Sequence, residues 1–207
     1  MPGELSHDDK AQLLRLARQG LEAAVNKHTA PPLEAAGRSP ALERPGSSFV
    51  TLTELGALRG CIGGLIAEEP LWLDVWHRAG QAALHDYRFV PVQPNELPNI
   101  RIEVSVLTPP VPLAYQSPDD LLRMLRPHVD GVVLRKGMNR ATFLPQVWET
   151  VPDPGQFLTM LSQKLGASPD AWRRDHLEVE TYQVEEFSEP EFKVEPGRDD
   201  PVSRPPA

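Results

Sequence analysis

This sequence has one cysteine, an excess of negative charge and no long apolar run, and each property excludes a class of protein. Cys61 stands alone among 207 residues, so an internal disulfide is excluded and nothing calls for an oxidising compartment. The formal net charge of -8 at pH 7 works against nonspecific binding to nucleic acid or anionic membranes. No stretch approaches the roughly 18 apolar residues of a membrane span, and the N-terminus lacks a signal-peptide pattern. We therefore expect a cytoplasmic protein with no nucleic-acid or membrane partner.

The common sequence motifs for cofactors and metals are also missing. The six histidines show none of the close spacings that metal sites favour, and a single cysteine argues against structural zinc. The chain contains no Walker-type phosphate loop, no dinucleotide fingerprint and no serine elbow. We expect no cofactor and no metal site.

The cysteine lies in an unusual setting, the hexapeptide LRGCIG at residues 58–63. Gly60 and Gly63 flank Cys61 and remove side chains, which lets a backbone or a small ligand approach closely. If the segment is extended, Arg59 lies on the same face as Cys61, and a guanidinium beside the sulfur favours the thiolate. The alternative is that the glycines only permit a tight bend and that the thiol is inert.

Hydrophobic periodicity predicts an α+β protein. Ser6 and Asp9 form a capping pattern for a helix ending near residue 27, and residues 49–53 and 57–62 form a hairpin. The pattern then predicts further helices over 70–85, 118–126 and 154–165, and further strands over 101–107, 131–135, 140–144 and 177–187. The last strand changes its apolar phase between Val179 and Tyr182, which predicts a β-bulge. Residues 188–207 are rich in proline and charge, so we expect a disordered tail after a domain spanning residues 1–187.

Several stretches in order along the chain resemble the AMMECR family, whose bacterial and archaeal members are also called AmmeMemoRadiSam system protein A. They are residues 49–52, 58–63, 86–91, 96–97, 104–107 and 141–148. The resemblance runs from about residue 8 to residue 187. It implies an α+β fold with a larger and a smaller lobe around a mixed or antiparallel sheet. The family name records association with a radical SAM protein and a dioxygenase-like protein, which the resemblance implies as partners, and does not record a reaction.

The residues that we expect at a functional site belong mostly to these stretches. Cys61 is the candidate nucleophile and His85 a weak candidate base, although His85 also fits a solvated helix end. The candidate ligand-binding residues are Arg59, Gly60, Gly63, Arg88, Phe89, Ser105, Gln146 and Trp148. We expect Arg88 either to orient a carboxylate or phosphate group of a ligand or to cap the carbonyl groups at the end of its own helix. Gln146 and Trp148 either line a binding site or have a structural role, in which the buried Gln146 amide is covered by the Trp148 indole. The Ser105 hydroxyl binds a ligand or a neighbouring strand.

Two functions follow from these residues. In the first, the protein is a binding component that presents a small molecule or peptide to partner enzymes, with a glycine-framed pocket around Cys61. In the second, it is a small cofactor-independent enzyme that uses Cys61 as nucleophile, while Arg59 or Arg88 positions an anionic substrate. We favour the first, because the sequence spacing offers no complete set of acid, base and nucleophile.

Overall fold

The structure is a computed structural model that describes residues 5–27 and 38–190. The helices in these ranges are α1 His7–Val25, α2 Pro40–Glu43, α3 Leu71–Leu84, α4 Pro118–Met124, α5 Val147–Thr150, α6 Pro154–Lys164 and α7 Ala171–Arg174, with a 3-10 helix at Pro94–Asn99. The strands are β1 Pro45–Glu54, β2 Ala57–Gly63, β3 Glu69–Pro70, β4 Ile100–Leu107, β5 Val111–Pro112, β6 Gly131–Lys136, β7 Asn139–Phe143, β8 Glu178–Tyr182 and β9 Val184–Ser188. Within these ranges, no helix has the length and apolar character that crossing a membrane requires.

The larger lobe is an antiparallel sheet covered on one face by helices. Its strands lie in the order β2-β1-β4-β9, and β3 pairs with the beginning of β1. Apolar residues on alternate positions of β1 and β4, among them Val50, Leu52, Ile102 and Val104, are fully buried. They pack with the apolar sides of α1 and α3 into one hydrophobic core. The other face of this sheet is the one that carries Cys61.

The smaller lobe is built on a second antiparallel sheet with the order β5-β8-β6-β7. Val132, Val133 and Leu134 in β6 are all fully buried, as expected for a strand covered on both faces. Helix α6 contributes Phe157, Leu158 and Leu161 to the core of this lobe. A second, separate core therefore supports the smaller lobe.

A third apolar cluster joins the two lobes. Leu107 at the end of β4, Val133 in β6 and Tyr182 at the end of β8 form its buried centre. The Tyr182 hydroxyl lies 2.8 Å from the Thr142 hydroxyl and 3.2 Å from the Phe143 carbonyl oxygen. Burial raises the pKa of Tyr182 to about 12. The lobes thus meet through packed side chains, and the cleft between them is lined by residues of both, among them Gln146 of the smaller lobe and Glu186 of the larger one.

Most predicted elements of the α+β fold are confirmed. The Ser6 hydroxyl accepts from the Asp9 N–H at 3.1 Å, and the Asp9 carboxylate accepts from the Ser6 N–H at 3.0 Å, which completes the capping box. The hairpin turns at Leu55 and Gly56, which have φ values of 50° and 84°. Positive φ at both central positions gives the turn the twist that a two-residue hairpin requires.

The prediction of one bulged strand over residues 177–187 is wrong. The segment forms two strands, β8 and β9, which belong to different sheets. Between them, the Gln183 N–H donates to the Thr108 hydroxyl and the Thr108 N–H donates to the Gln183 carbonyl, both at 2.9 Å. The apolar phase changes there because the chain leaves one core and enters another.

The predicted start of the disordered tail at residue 188 is also wrong. Ser188 ends β9 and pairs with Glu103. The Glu189 carboxylate binds the Arg18 guanidinium and accepts from the Ile102 N–H at 2.9 Å, while the Glu189 N–H donates to the Ile102 carbonyl at 2.9 Å. The ordered domain therefore extends through these residues. The rest of the predicted tail, residues 191–207, lies outside the described residues.

We expect a chain truncated after Phe187 to melt about 5–10 °C below a chain truncated after Pro190, because only the shorter chain lacks Ser188 and Glu189. The lost charge-assisted hydrogen bonds contribute about 2–3 kcal/mol, and each kcal/mol shifts the melting temperature of a domain of this size by about 2–4 °C. Thermal unfolding followed by circular dichroism measures the difference. Equal melting temperatures would show that residues 188–190 do not stabilise the fold.

Candidate functional site

The site lies on the face of the larger sheet that the helices leave open. Thr51 in β1 pairs with Cys61 in β2 and with Glu103 in β4, which places these three side chains in one row. The next row along the strands contains Phe49 and Ser105. Polar groups from three strands therefore share one surface, and the smaller lobe faces part of it.

Cys61 is partly exposed and is held through its backbone. Its N–H donates to Asp86 Oδ2 at 2.8 Å, and its sulfur accepts from the Thr51 hydroxyl at 3.3 Å. The Asp86 carboxylate therefore fixes the position of the strand around the thiol. It does not bind the thiol itself.

Asp86 and Arg88 form an ion pair beside the cysteine. Arg88 donates from Nε to Asp86 Oδ1 at 2.9 Å and from Nη2 to Asp86 Oδ2 at 2.7 Å. The Asp86 side chain is 2% exposed, whereas the Arg88 side chain is 45% exposed. The hydrogen bonds from Arg88 hold the pKa of Asp86 well below its ordinary value, even though burial opposes the shift. Arg88 Nη2 also reaches the Cys61 carbonyl at 3.4 Å, so this guanidinium lies next to the cysteine.

Phe89 follows in the same turn. Its N–H donates to the Asp86 carbonyl at 3.0 Å, and the Arg88 guanidinium lies 5.5 Å from the centre of its ring. The contact with Arg88 is within the range of cation–π attraction. Phe89 therefore supports the position of Arg88.

Arg59 does not occupy the predicted position beside the sulfur. The register of β1 and β2 shifts between Leu52 and Thr53, and Arg59 has no paired residue there. Its guanidinium donates to the Glu96 carboxylate at 2.7 and 3.1 Å and to the Val90 carbonyl at 2.9 Å. The hydrogen bonds from Arg59 lower the pKa of Glu96. An irregularity in the strand thus breaks the alternation on which the prediction depended, and Arg59 holds the loop that follows Arg88.

The two glycines do not frame an open pocket. A Cβ atom on Gly60 would lie 2.2 Å from the Ala82 carbonyl oxygen, because α3 crosses the strand at that point. A Cβ atom on Gly63 would lie 2.3 Å from the Phe49 side chain. Both spaces are filled by the protein, so the glycines serve close packing around Cys61. This corrects the expectation that they admit a ligand.

Gln146 connects the smaller lobe to the polar face. Its amide nitrogen donates to the Ser105 hydroxyl at 3.3 Å and to the Glu186 carboxylate. A neighbouring cavity of about 220 Å³ is lined by His128, Pro145, Gln146, Glu149, Val184 and Glu186. Burial raises the pKa of Glu103 on the same face, and the negative charge of Glu186 raises it further. Ser105 and Gln146 therefore lie together between the lobes, and the hydroxyl binds a protein group.

Trp148 and His85 do not join this arrangement. Trp148 is fully buried in the smaller lobe, where its indole N–H donates to the Asp130 carbonyl at 2.7 Å and its ring stacks on Phe157 at 3.6 Å. The ligand-binding assignment of Trp148 is corrected to a core role. His85 is exposed at the end of α3, where its backbone N–H donates to the Gln81 carbonyl at 2.7 Å.

Sequence reasoning missed two groups in this region. Thr51 was recognisable only from the strand register, which places it opposite Cys61. Lys164 lies at the end of α6 and donates to the Thr142 carbonyl at 3.0 Å. Thr51 lies in the family-like stretch 49–52, but nothing in that stretch marks it as the residue opposite Cys61, and no local motif marks Lys164, since each contact crosses between elements.

We expect Gly60→Ala to lower the free energy of unfolding by about 3 kcal/mol, because a backbone carbonyl blocks the added methyl group. The control is Gly64→Ala, whose methyl group would meet only the flexible end of Arg78 at 3.0 Å. We expect the control to cost less than about 1 kcal/mol. Urea denaturation measures both values. Equal losses in the two variants would contradict the close approach of α3 to Gly60.

We expect Asp86→Asn to lower the free energy of unfolding at pH 7 by about 2 kcal/mol, since a charged acceptor of several hydrogen bonds is lost. The folded-state pKa of Asp86 lies below its ordinary value of 3.8. Its stabilising contribution is therefore present above that value and is lost as the pH falls towards the folded-state pKa.

The deficit of Asp86→Asn should accordingly shrink between about pH 5 and about pH 3. Exposed Asp119 provides the control variant, Asp119→Asn. Urea denaturation at several pH values tests this expectation. A deficit that stays constant across the range would show that the charge of Asp86 does not stabilise the folded chain.

Comparisons with known proteins agree with this fold. Residues 14–187 match the AMMECR1 family. A protein of Thermofilum pendens is 35% identical over 204 residues, covering 90% of this chain and 92% of the relative. A protein of Methanothermobacter thermautotrophicus is 38% identical over 190 residues, covering 89% and 96%. The crystal structure of the uncharacterized protein PH0010 from Pyrococcus horikoshii matches with a TM-score of 0.81 at 32% identity, covering 89% of this chain and 93% of that one. The chain therefore belongs to the AMMECR1 family.

Proposed function

We propose that this chain is a binding component of an AmmeMemoRadiSam-type modification system. In this role it holds a small molecule or peptide in the cleft between its lobes, beside Cys61. It presents that group to a radical SAM protein and a dioxygenase-like protein. The family association supports the choice of partners, and the contacts of Cys61 support a binding role.

The observation that carries the proposal is the way in which Cys61 is held. Among the described residues, the hydrogen-bond partner of its sulfur is the Thr51 hydroxyl, which is a donor and not a base. The Asp86 carboxylate is committed to the Cys61 N–H and to Arg88. A nucleophilic cysteine needs an adjacent base or a strongly stabilised thiolate. The geometry instead fixes a strand and presents its side chain, as a recognition surface requires.

The enzymatic alternative loses two of its predicted participants. Arg59 is bound to Glu96, and His85 lies at the exposed end of α3. Arg88 remains beside Cys61 and fits either function. The enzymatic alternative needs Arg59 or His85 near Cys61, where the fold does not place them. The binding function needs neither.

We expect Cys61→Ser to leave binding of the partner proteins within about twofold of the unmodified chain, because the change in size is small. Cys61→Trp should weaken binding at least tenfold, since the indole would cover the surface between Thr51 and Arg88. Exposed Ala57 at the other end of β2 supplies the bulk control, Ala57→Trp. Calorimetric titration with purified radical SAM and dioxygenase-like proteins from the same genome measures the affinities.

Circular dichroism verifies the fold of each variant, and complementation of a deletion strain tests its function. Failure of a folded Cys61→Ser variant to complement would favour the enzymatic alternative, which requires the thiolate. Absence of any complex with either partner would refute the proposed binding role.

A further inference from the structure

A second cavity, of about 510 Å³, lies where α1 meets the end of β9. Its walls come from α1, from the 3-10 helix and from the chain just beyond β9. The residues that line it are Arg18, Glu22, Leu97, Pro98, Glu189 and Pro190. None of them belongs to the candidate site around Cys61, so the cavity is a separate feature of the larger lobe.

Arg18 holds the walls of this cavity together. Its guanidinium donates to the Leu97 carbonyl at 3.3 Å and to the Ile100 carbonyl at 2.7 Å, and it forms a bidentate ion pair with the Glu189 carboxylate. These bonds use one N–H of Nε, one of Nη1 and both of Nη2, which leaves one of the five guanidinium donors. An occupant of the cavity therefore meets mainly the flat face of the guanidinium. Aromatic rings stack on that face.

The rest of the lining selects for the same kind of occupant. Leu97, Pro98 and Pro190 contribute apolar surface, and neither proline has an N–H to offer a polar ligand. The Glu22 carboxylate is exposed and forms no salt bridge within the described ranges. The lining therefore fits an aromatic side chain that is accompanied by a cation.

The sequence that follows the cavity wall supplies both groups. Strand β9 ends at Ser188, and Pro190 has no N–H with which to resume pairing with β4. The 17 residues that follow Pro190 contain a single aromatic residue, Phe192. Two residues of extended chain span about 7 Å, so Phe192 is within reach of the cavity that Pro190 itself lines. Lys193 comes next and is opposite in charge to Glu22.

We propose that this cavity is a binding site for an aromatic side chain and that Phe192 of the same chain occupies it. The ring packs on Pro98 and Pro190 and stacks on the Arg18 guanidinium, while the Lys193 ammonium pairs with the Glu22 carboxylate at the rim. The segment that follows β9 is thereby anchored to α1. The proposal is independent of the function proposed for the Cys61 face, because the two sites share no residue.

The test is NOE spectroscopy on the full chain. We expect cross-peaks between the ring protons of Phe192 and the methyl protons of Leu97. A sample that mixes two differently labelled copies of the chain distinguishes contacts within one chain from contacts between copies. Cross-peaks between copies alone would overturn the proposal in favour of a segment exchanged with a second copy. The absence of any cross-peak would overturn it outright.

Substitutions of the same residue test the chemistry of the site. Phe192→Ser should lower the melting temperature of the full chain by about 3–6 °C, since the ring loses its contacts. Phe192→Tyr should stay within about 1 °C of the unmodified chain, because it keeps the aromatic ring. The matched control is Val202→Ser, ten residues further along, which should also stay within about 1 °C. Equal melting temperatures of Phe192→Ser and Val202→Ser would overturn the proposal.

Discussion

The candidate site depends on one buried carboxylate. Asp86 accepts hydrogen bonds from the Cys61 N–H and from Arg88, and its side chain is almost entirely removed from solvent. A buried charge is tolerable only when it is paired and hydrogen-bonded, and here both conditions are met. The same carboxylate therefore ties the end of α3 to β2 and places a guanidinium next to the cysteine. Without it, Arg88 would lose the ion pair that holds it beside Cys61.

Close packing beneath the cysteine imposes a second constraint. Helix α3 approaches β2 so tightly that the Ala82 carbonyl occupies the space where a side chain of residue 60 would begin. The Phe49 ring fills the corresponding space at Gly63. Such contacts keep the strand from moving and leave Cys61 as the side chain that this part of β2 presents. The glycines thus permit the close packing around Cys61.

The cleft itself results from having two cores. Each sheet buries one set of apolar residues in its own lobe, and the small cluster around Tyr182 joins the lobes. Polar groups that neither core can accept remain between the lobes, where Gln146 reaches across to Ser105 and Glu186. A molecule held there, as we propose, would contact both lobes.

The sequence by itself determined the four longer helices, most strands and the hairpin, because these depend on local periodicity, capping and turn chemistry. It also indicated Arg88, Ser105 and Gln146. Only the tertiary structure decided that Arg59 binds Glu96, that Trp148 belongs to a core and that Lys164 binds the Thr142 carbonyl. A shifted register, a crossing helix and the docking of two lobes produced these outcomes. Each joins residues distant in sequence, so no local pattern contains the information.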